Sequence, residues 1–233
     1  MSITALRTVT KASANPVSLA ETKAHLRITH DAEDANITSL IKVATDWAQV
    51  FLGRVLMDTT VVVKMDRFPE SGDAAELMAD PLGQWYRVNS AAGRKREAQK
   101  RDKSILLPGG FVTAVNDIDY TDALGAPQTL TGPSSQTPGT DYNEDLTDDE
   151  WAFVYPFPSV GWPAVTSEDV NAVAIEYQVG WLEATDIPES IKHAIRFKVA
   201  DLFTIRDTQD AGSKSQLIKV AENLLEPYVV PHY

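Results

Sequence analysis

The stretch 18–56 constrains the fold of this chain most strongly, because its pattern predicts two consecutive helices. Ser18 and Glu21 have the spacing of a capping box, in which each side chain satisfies a backbone amide of the other residue. An acidic step around Asp31 favours the start of a second helix. Apolar residues then recur at helical spacing, and Gly53 predicts where that helix ends.

The second helix has a wider apolar face than one packing partner requires. Its main apolar stripe consists of Ile37, Leu40, Ile41, Ala44, Trp47, Ala48, Phe51 and Leu52. Val43 and Val50 lie just beside this stripe, on the side that would otherwise meet water. We therefore expect a second packing partner for the helix.

Composition excludes several classes of function. A net charge of −12 argues against non-specific binding to duplex DNA, and the absence of cysteine excludes disulfides and thiolate metal sites. No apolar run approaches the roughly 20 residues that span a bilayer, so no membrane partner is expected. The first 20 residues lack the pattern of a secretory signal, and the absence of cysteine fits assembly in a reducing cytoplasm.

The middle of the chain changes to the alternation that is typical of strands. Clear examples are 57–68, 105–107, 112–120 and 173–179, with turn residues between them. The excursion 70–104 is rich in basic residues and predicts a solvated surface segment. Residues 57–180 are thus expected to form an inserted β module.

Helical periodicity returns in residues 181–233, where Pro188 marks a helix start. The next helix is apolar around most of its circumference, with Phe197 outside its main face. Lys198 falls within the apolar arc, so it must extend to solvent, pair with a carboxylate or face a partner.

Neither helical end of the chain can bury its apolar stripe alone. The predicted fold class is therefore α+β: a helical bundle formed by the N- and C-terminal helices, residues 1–56 and 181–233, with an inserted small β-sandwich or barrel-like module.

No motif of an active site is present. The four histidines lack metal-ligand spacing, and we find no nucleophile elbow, Walker loop or dinucleotide-binding pattern. The acidic segment 141–150 lacks the glycine of a calcium loop and predicts a solvated loop. A metal-dependent hydrolase using this segment stays open as a distant alternative to a non-enzymatic, self-associating protein that needs no cofactor.

The stretch PVSLAETKAHLRITHDAEDANITSLIKVATDWAQVFLGRVL closely resembles the N-terminal signature of the head–tail connector (adaptor) proteins of long-tailed bacteriophages and prophages. Residues 105–120 resemble the family's LP…V-x-x-[IV]-x-Y hairpin. Ile187–Pro188–Glu189 resembles the start of its penultimate helix. The excursion 70–104 departs from the family. Many members pass more directly from the first strand of the β module, here 57–68, to the next strand, here 105–107.

The resemblance implies a structural protein of the virion neck with no catalytic, metal or cofactor site. It implies a ring of copies, usually twelve, beneath the portal protein, which extends the DNA channel and docks the next neck or tail component. Another neck protein, such as a stopper or a tail-completion protein, is the alternative.

Two sets of contact residues follow from this resemblance. The C-terminal segment is expected to contact the portal and to be dispensable for folding; its candidate residues are Pro227, Tyr228, Val229, Val230, Pro231 and Tyr233. Neighbouring copies are expected to meet through exposed apolar positions and through opposite charges of the basic excursion and the acidic segment. The candidates are Val43, Val50, Phe197, Arg94, Lys95, Arg96, Asp145 and Asp148.

Overall fold

The fold is described from a computed structural model. It describes residues 3–12, 14–69, 77–79, 85–87, 103–133, 139–148, 151–157, 159–166, 170–205 and 216–230. For 3–6, 77–79, 85–87, 205 and 216–217 only the backbone is described. Mixed helices and antiparallel sheets confirm the α+β class, whereas the bundle-and-sandwich arrangement stays a prediction.

The chain divides into two compact units, a β unit and a helical unit. The described part of the β unit contains ten strands: β1 Ile3–Thr10, β2 Thr59–Met65, β3 Leu77–Ala79, β4 Trp85–Arg87, β5 Ile105–Leu107, β6 Val112–Thr121, β7 Pro127–Leu130, β8 Tyr142–Asp145, β9 Ala152–Pro156 and β10 Val173–Val179. The helical unit contains α1 Leu19–Leu26, α2 Asp34–Leu52, α3 Glu189–Ile205, α4 Gln216–Leu225 and a 3-10 turn at Glu226–Tyr228.

The principal sheet of the β unit has the strand order β1-β2-β10-β6-β7, with every pair antiparallel. In β2 and β10 each second residue is buried, as the alternation in the sequence predicts. Strands β5, β9 and β8 form a three-stranded sheet, and β3 and β4 form a separate pair.

The predicted domain boundary differs from the structure at the N-terminus. Residues 1–56 were expected in the helical part, but Met1–Lys11 fall within the β unit. The reason is that β1 pairs along the whole of β2, with Leu6 opposite Val63 and Arg7 opposite Val62. Sequence periodicity cannot reveal a partner more than fifty residues away.

The helical unit is held together by one hydrophobic core to which both parts of the chain contribute. Helix α3 contacts α1, α2 and α4. Fully buried residues include Ile37, Ile41 and Leu52 from the first part, and Ile191 and Ile195 from the second. Burying side chains of this size stabilises a fold by about 1.5–3 kcal/mol each.

Two predicted helix boundaries are confirmed, the capping box at Ser18 and the end of α2 at Gly53. The backbone amide of Glu21 donates to the Ser18 hydroxyl, and the Glu21 carboxylate accepts the Ser18 amide, which completes the capping box. Gly53 ends α2 with a left-handed φ of 64°. The acidic residues near Asp31 do not cap the start of α2 with a side chain. Instead, Asp31 and Asp34 both form ion pairs with Lys23.

A tightly packed loop in the β unit depends on Gly132. The buried phenol of Tyr142 packs directly against Gly132. A Cβ added at Gly132 would lie 2.1 Å from the phenolic oxygen. The same burial raises the pKa of Tyr142 to about 12, so the ring stays neutral. The position therefore has no space for any other residue.

We expect Gly132→Ala to lower the free energy of unfolding by about 1–3 kcal/mol, because the added methyl group overpacks a buried site. Urea denaturation measures the change. The control is Gly161→Ala, where no atom lies within 4 Å of an added Cβ and only the φ of +72° is unfavourable. Equal losses in the two variants would contradict the steric explanation.

Candidate functional site

The strongest candidate for an assembly surface is the side of α2 that its own core leaves exposed. Val43 and Val50 are each 50% exposed, one on either side of the half-buried Trp47. Their i, i+4, i+7 spacing places the three side chains on one face of the helix. We call these three residues the α2 stripe. The predicted second apolar face thus exists, and its role as a subunit interface stays a prediction.

Lys198 on α3 borders the α2 stripe. Its ammonium lies 5.3 Å from the centre of the Trp47 ring and 3.8 Å from a carboxylate oxygen of Asp201. The sequence left three environments open for this lysine, and the structure shows that it pairs with a carboxylate. Asp201 is only 2% exposed, and the oxygen that faces Lys198 accepts no hydrogen bond from the described residues, so the contact is a long ion pair beside the stripe.

Phe197, a predicted interface residue, packs within its own chain. Its ring meets the edge of His25 of α1 at 5.5 Å, and His193 lies 6.3 Å away on α3. The half-buried ring fills the contact between α1 and α3. Participation of Phe197 in a subunit interface stays a prediction.

The candidate portal segment is partly built into the helical core. Val230 is 3% exposed, and its backbone amide donates to the carbonyl of Leu52. Tyr228 and Val229 pack against the same core, whereas Pro227 is exposed. The candidates Pro231 and Tyr233 lie outside the described residues. The expectation that the whole segment is dispensable for folding is therefore in conflict with these contacts.

The acidic segment does not form one solvated loop, since Tyr142–Asp145 is strand β8. Several of its carboxylates have structural partners: Asp141 accepts the amide of Thr131, and Glu144 accepts that of Val115. Asp145 accepts the hydroxyl of Thr147. Asp148 is exposed, whereas Arg94, Lys95 and Arg96 of the basic excursion lie outside the described residues.

Metal-binding clusters and membrane-spanning helices are two further features of interest. Within the ranges that the structure describes, no group of three His, Asp or Glu side chains is placed to hold a metal ion. No helix in those ranges is long and apolar enough to cross a membrane.

Sequence reasoning missed one buried cation with a structural role. Arg54 is 4% exposed, and its guanidinium lies 5.9 Å from the centre of the Trp181 ring. The contact joins the end of α2 to the point where the chain enters the helical unit for the second time. The available signal in the sequence was an arginine directly after a helix-ending glycine.

Comparison with solved structures places the fold among neck proteins of phage-like particles. The chain is similar to a chain in the neck of an empty gene transfer agent (GTA) particle computed with C6 symmetry. The TM-score is 0.67 at 15% identity, covering 98% of this chain and 97% of the other. A chain in the neck of the native particle, computed with C12 symmetry, gives 0.63 at 13% identity, with 98% and 97% covered.

Residues 16–118 match the model of the phage gp6-like head–tail connector protein family. The resemblance expected from the sequence is thereby confirmed, and the family is one of structural connectors. A chain in the virion of the native gene transfer agent is also similar, with a TM-score of 0.60 and 16% identity over 98% and 96% of the two chains. No curated protein matches the chain.

We expect Val230→Ala to lower the free energy of unfolding by about 1–3 kcal/mol, because it removes buried methyl groups from the core. Removal of residues 227–233 should cost more, since the hydrogen bond to Leu52 and the packing of Tyr228 are also lost. Thermal denaturation of both variants checks this order. A truncated chain as stable as the full chain would contradict it.

The pKa of His25 is lowered by burial and by the nearby Arg196 and His193. The unfolded chain therefore binds the proton more tightly, and stability falls as the pH drops below about 6.5. We expect His25→Gln to reduce this loss, measured as unfolding free energy from pH 8 to pH 5. The control is His30→Gln, whose side chain is exposed. An unchanged pH profile in His25→Gln would contradict the assignment.

Proposed function

We propose that this chain is a head–tail connector of a phage-like virion, and that its copies form a ring beneath the portal protein. The ring extends the DNA channel and docks the next neck or tail component, and its copies assemble in the host cytoplasm. The supporting observation is that the matched family segment includes α2, whose apolar stripe is left exposed by the chain's own core. Neck chains from particles computed with C6 and C12 symmetry share the fold.

The geometry favours an interface role for the α2 stripe for a physical reason. Isolated exposed apolar side chains are ordinary on protein surfaces, but three on one helix face form a continuous patch. The neighbouring Lys198 already contacts Asp201 and Trp47 of its own chain, so a partner would meet a partly preformed surface. Preformed surfaces lose little side-chain entropy on association.

The net charge of −12 suits a protein that surrounds DNA without holding it. A chain with a net negative charge neutralises few phosphates and releases few counterions from the duplex, so its non-specific affinity is weak. The portal contact is proposed for the exposed Pro227 and for the residues that follow Val230. We also propose that the basic excursion 70–104 contacts the acidic segment 141–150 of a neighbouring copy.

The test is a double substitution, Val43→Asp with Val50→Asp. We expect it to abolish ring formation with the portal protein of the same particle, because charges replace the apolar patch. The thermal midpoint should change little, since both valines are already half-exposed. Negative-stain imaging and mass measurement of the assembly report the result.

The matched control is Val160→Asp with Leu182→Asp, because these side chains are 62% and 70% exposed and are not part of the α2 stripe. Rings formed equally by both double variants would contradict the role of the α2 stripe. Docking of the wild-type chain to tail components alone, with no binding to the portal, would favour a stopper or tail-completion protein.

A further inference from the structure

The charged residues of the principal sheet are sorted by strand. Among the described side chains of its five strands, the charged residues are Arg7 on β1, Lys64 on β2, Glu176 on β10, and Asp117 and Asp119 on β6. One side of the sheet is therefore basic and the other acidic.

The strand register places these charges on one face of the sheet. Arg7 lies opposite Val62, Val62 opposite Glu176, and Glu176 opposite Asp117. Residues directly opposite each other in antiparallel strands share a face. The other face carries buried residues such as Val63 and Ile175. The charged face is thus the one that the β unit does not use for its core.

Arg7 and Asp117 stand at the two ends of this row of paired residues. They are too far apart for their charges to neutralise each other within one chain. Three interstrand spacings separate β1 from β6, which is about 14 Å. This distance exceeds the screening length of about 8 Å at physiological ionic strength. Arg7 and Asp117 are both exposed, so each presents its charge to solvent at its own side of the sheet.

The other carboxylates at the acidic side have local partners, which distinguishes Asp117. Asp119 accepts the hydroxyl of Thr129 at 2.5 Å. Asp122 accepts the amides of Leu124 and Ala126 and fixes the turn between β6 and β7. Both groups are committed to the hairpin. Asp117 is exposed, and the strand register places it in line with Arg7 across the sheet.

We propose that the basic side of this sheet meets the acidic side of the next copy, with Arg7 against Asp117 of the neighbouring copy. The inference rests on the proposed ring. A ring requires two different surfaces on each copy that complement each other head to tail. The sheet offers such a pair, because its opposite sides carry opposite charges. The contact would fix the order and direction of the copies around the ring.

The head-to-tail geometry permits a test by mixing two variants. In a ring of Arg7→Glu copies, every interface would oppose two carboxylates; in a ring of Asp117→Arg copies, every interface would oppose two guanidinium groups. When the variants alternate, each interface again joins opposite charges. Rings should therefore form from the mixture but not from either variant alone.

The experiment measures the mass of assemblies at low salt, with the portal protein of the same particle present. Each variant alone is expected to yield about tenfold fewer rings than the wild type, since like charges replace opposite ones at every interface. An equimolar mixture should recover rings with an even number of copies. Controls are Lys219→Glu and Asp186→Arg, which reverse exposed charges in the helical unit.

Wild-type rings together with normal rings from both single variants would overturn the inference and leave the proposed function intact. Loss of rings in both variants without recovery in the mixture would also overturn it. Failure of the wild-type chain to form any ring with the portal would instead contradict the proposed function. A variant with a lowered thermal midpoint is replaced by Arg7→Gln or Asp117→Asn, each of which should show an intermediate loss.

Discussion

The helical unit depends on the packing of α3 against α2, two helices separated by more than 130 residues of sequence. Ala44 and Ala48 on α2 and Ala194 on α3 are fully buried, so small side chains permit close approach of the helices. The long apolar residues around them fill the remaining space. Neither helix can bury its apolar face alone. Their packing therefore holds the two separate segments of the chain together in one unit.

The same packing determines which surfaces remain for assembly. Helix α2 directs Ile37 and Ile41 into the shared core, and this orientation leaves Val43 and Val50 exposed. Lys198 is positioned by the buried Asp201 of the same helix. An ion pair so close to a core is costly to bury, and here it borders the α2 stripe.

Local sequence signals predicted the local structure well. The capping box at Ser18, the helix end at Gly53 and the alternation of Val173–Val179 all correspond to hydrogen bonds or burial in the structure. These signals depend on residues within one turn or one strand. The exposure of Val43 and Val50 was predictable for the same reason, because helical periodicity assigns a face to each residue.

Features that depend on distant contacts could not be predicted. The pairing of β1 with β2 and the burial of Val230 against the end of α2 both join segments far apart in sequence. The acidic segment was predicted as one loop because its composition is polar. In the structure Glu144 lies on a strand and accepts the Val115 amide beside an irregularity in β6. The charge gradient across the sheet likewise emerges only from strand order.

The central claim is that copies of this chain assemble into a closed ring on a portal. The most direct measurement is the native mass of the complex formed by the wild-type chain and the portal protein of the same particle. The account predicts one portal ring carrying a fixed whole number of 25.6 kDa chains. A chain that stays monomeric and unbound at every concentration, beside an intact portal, would contradict it.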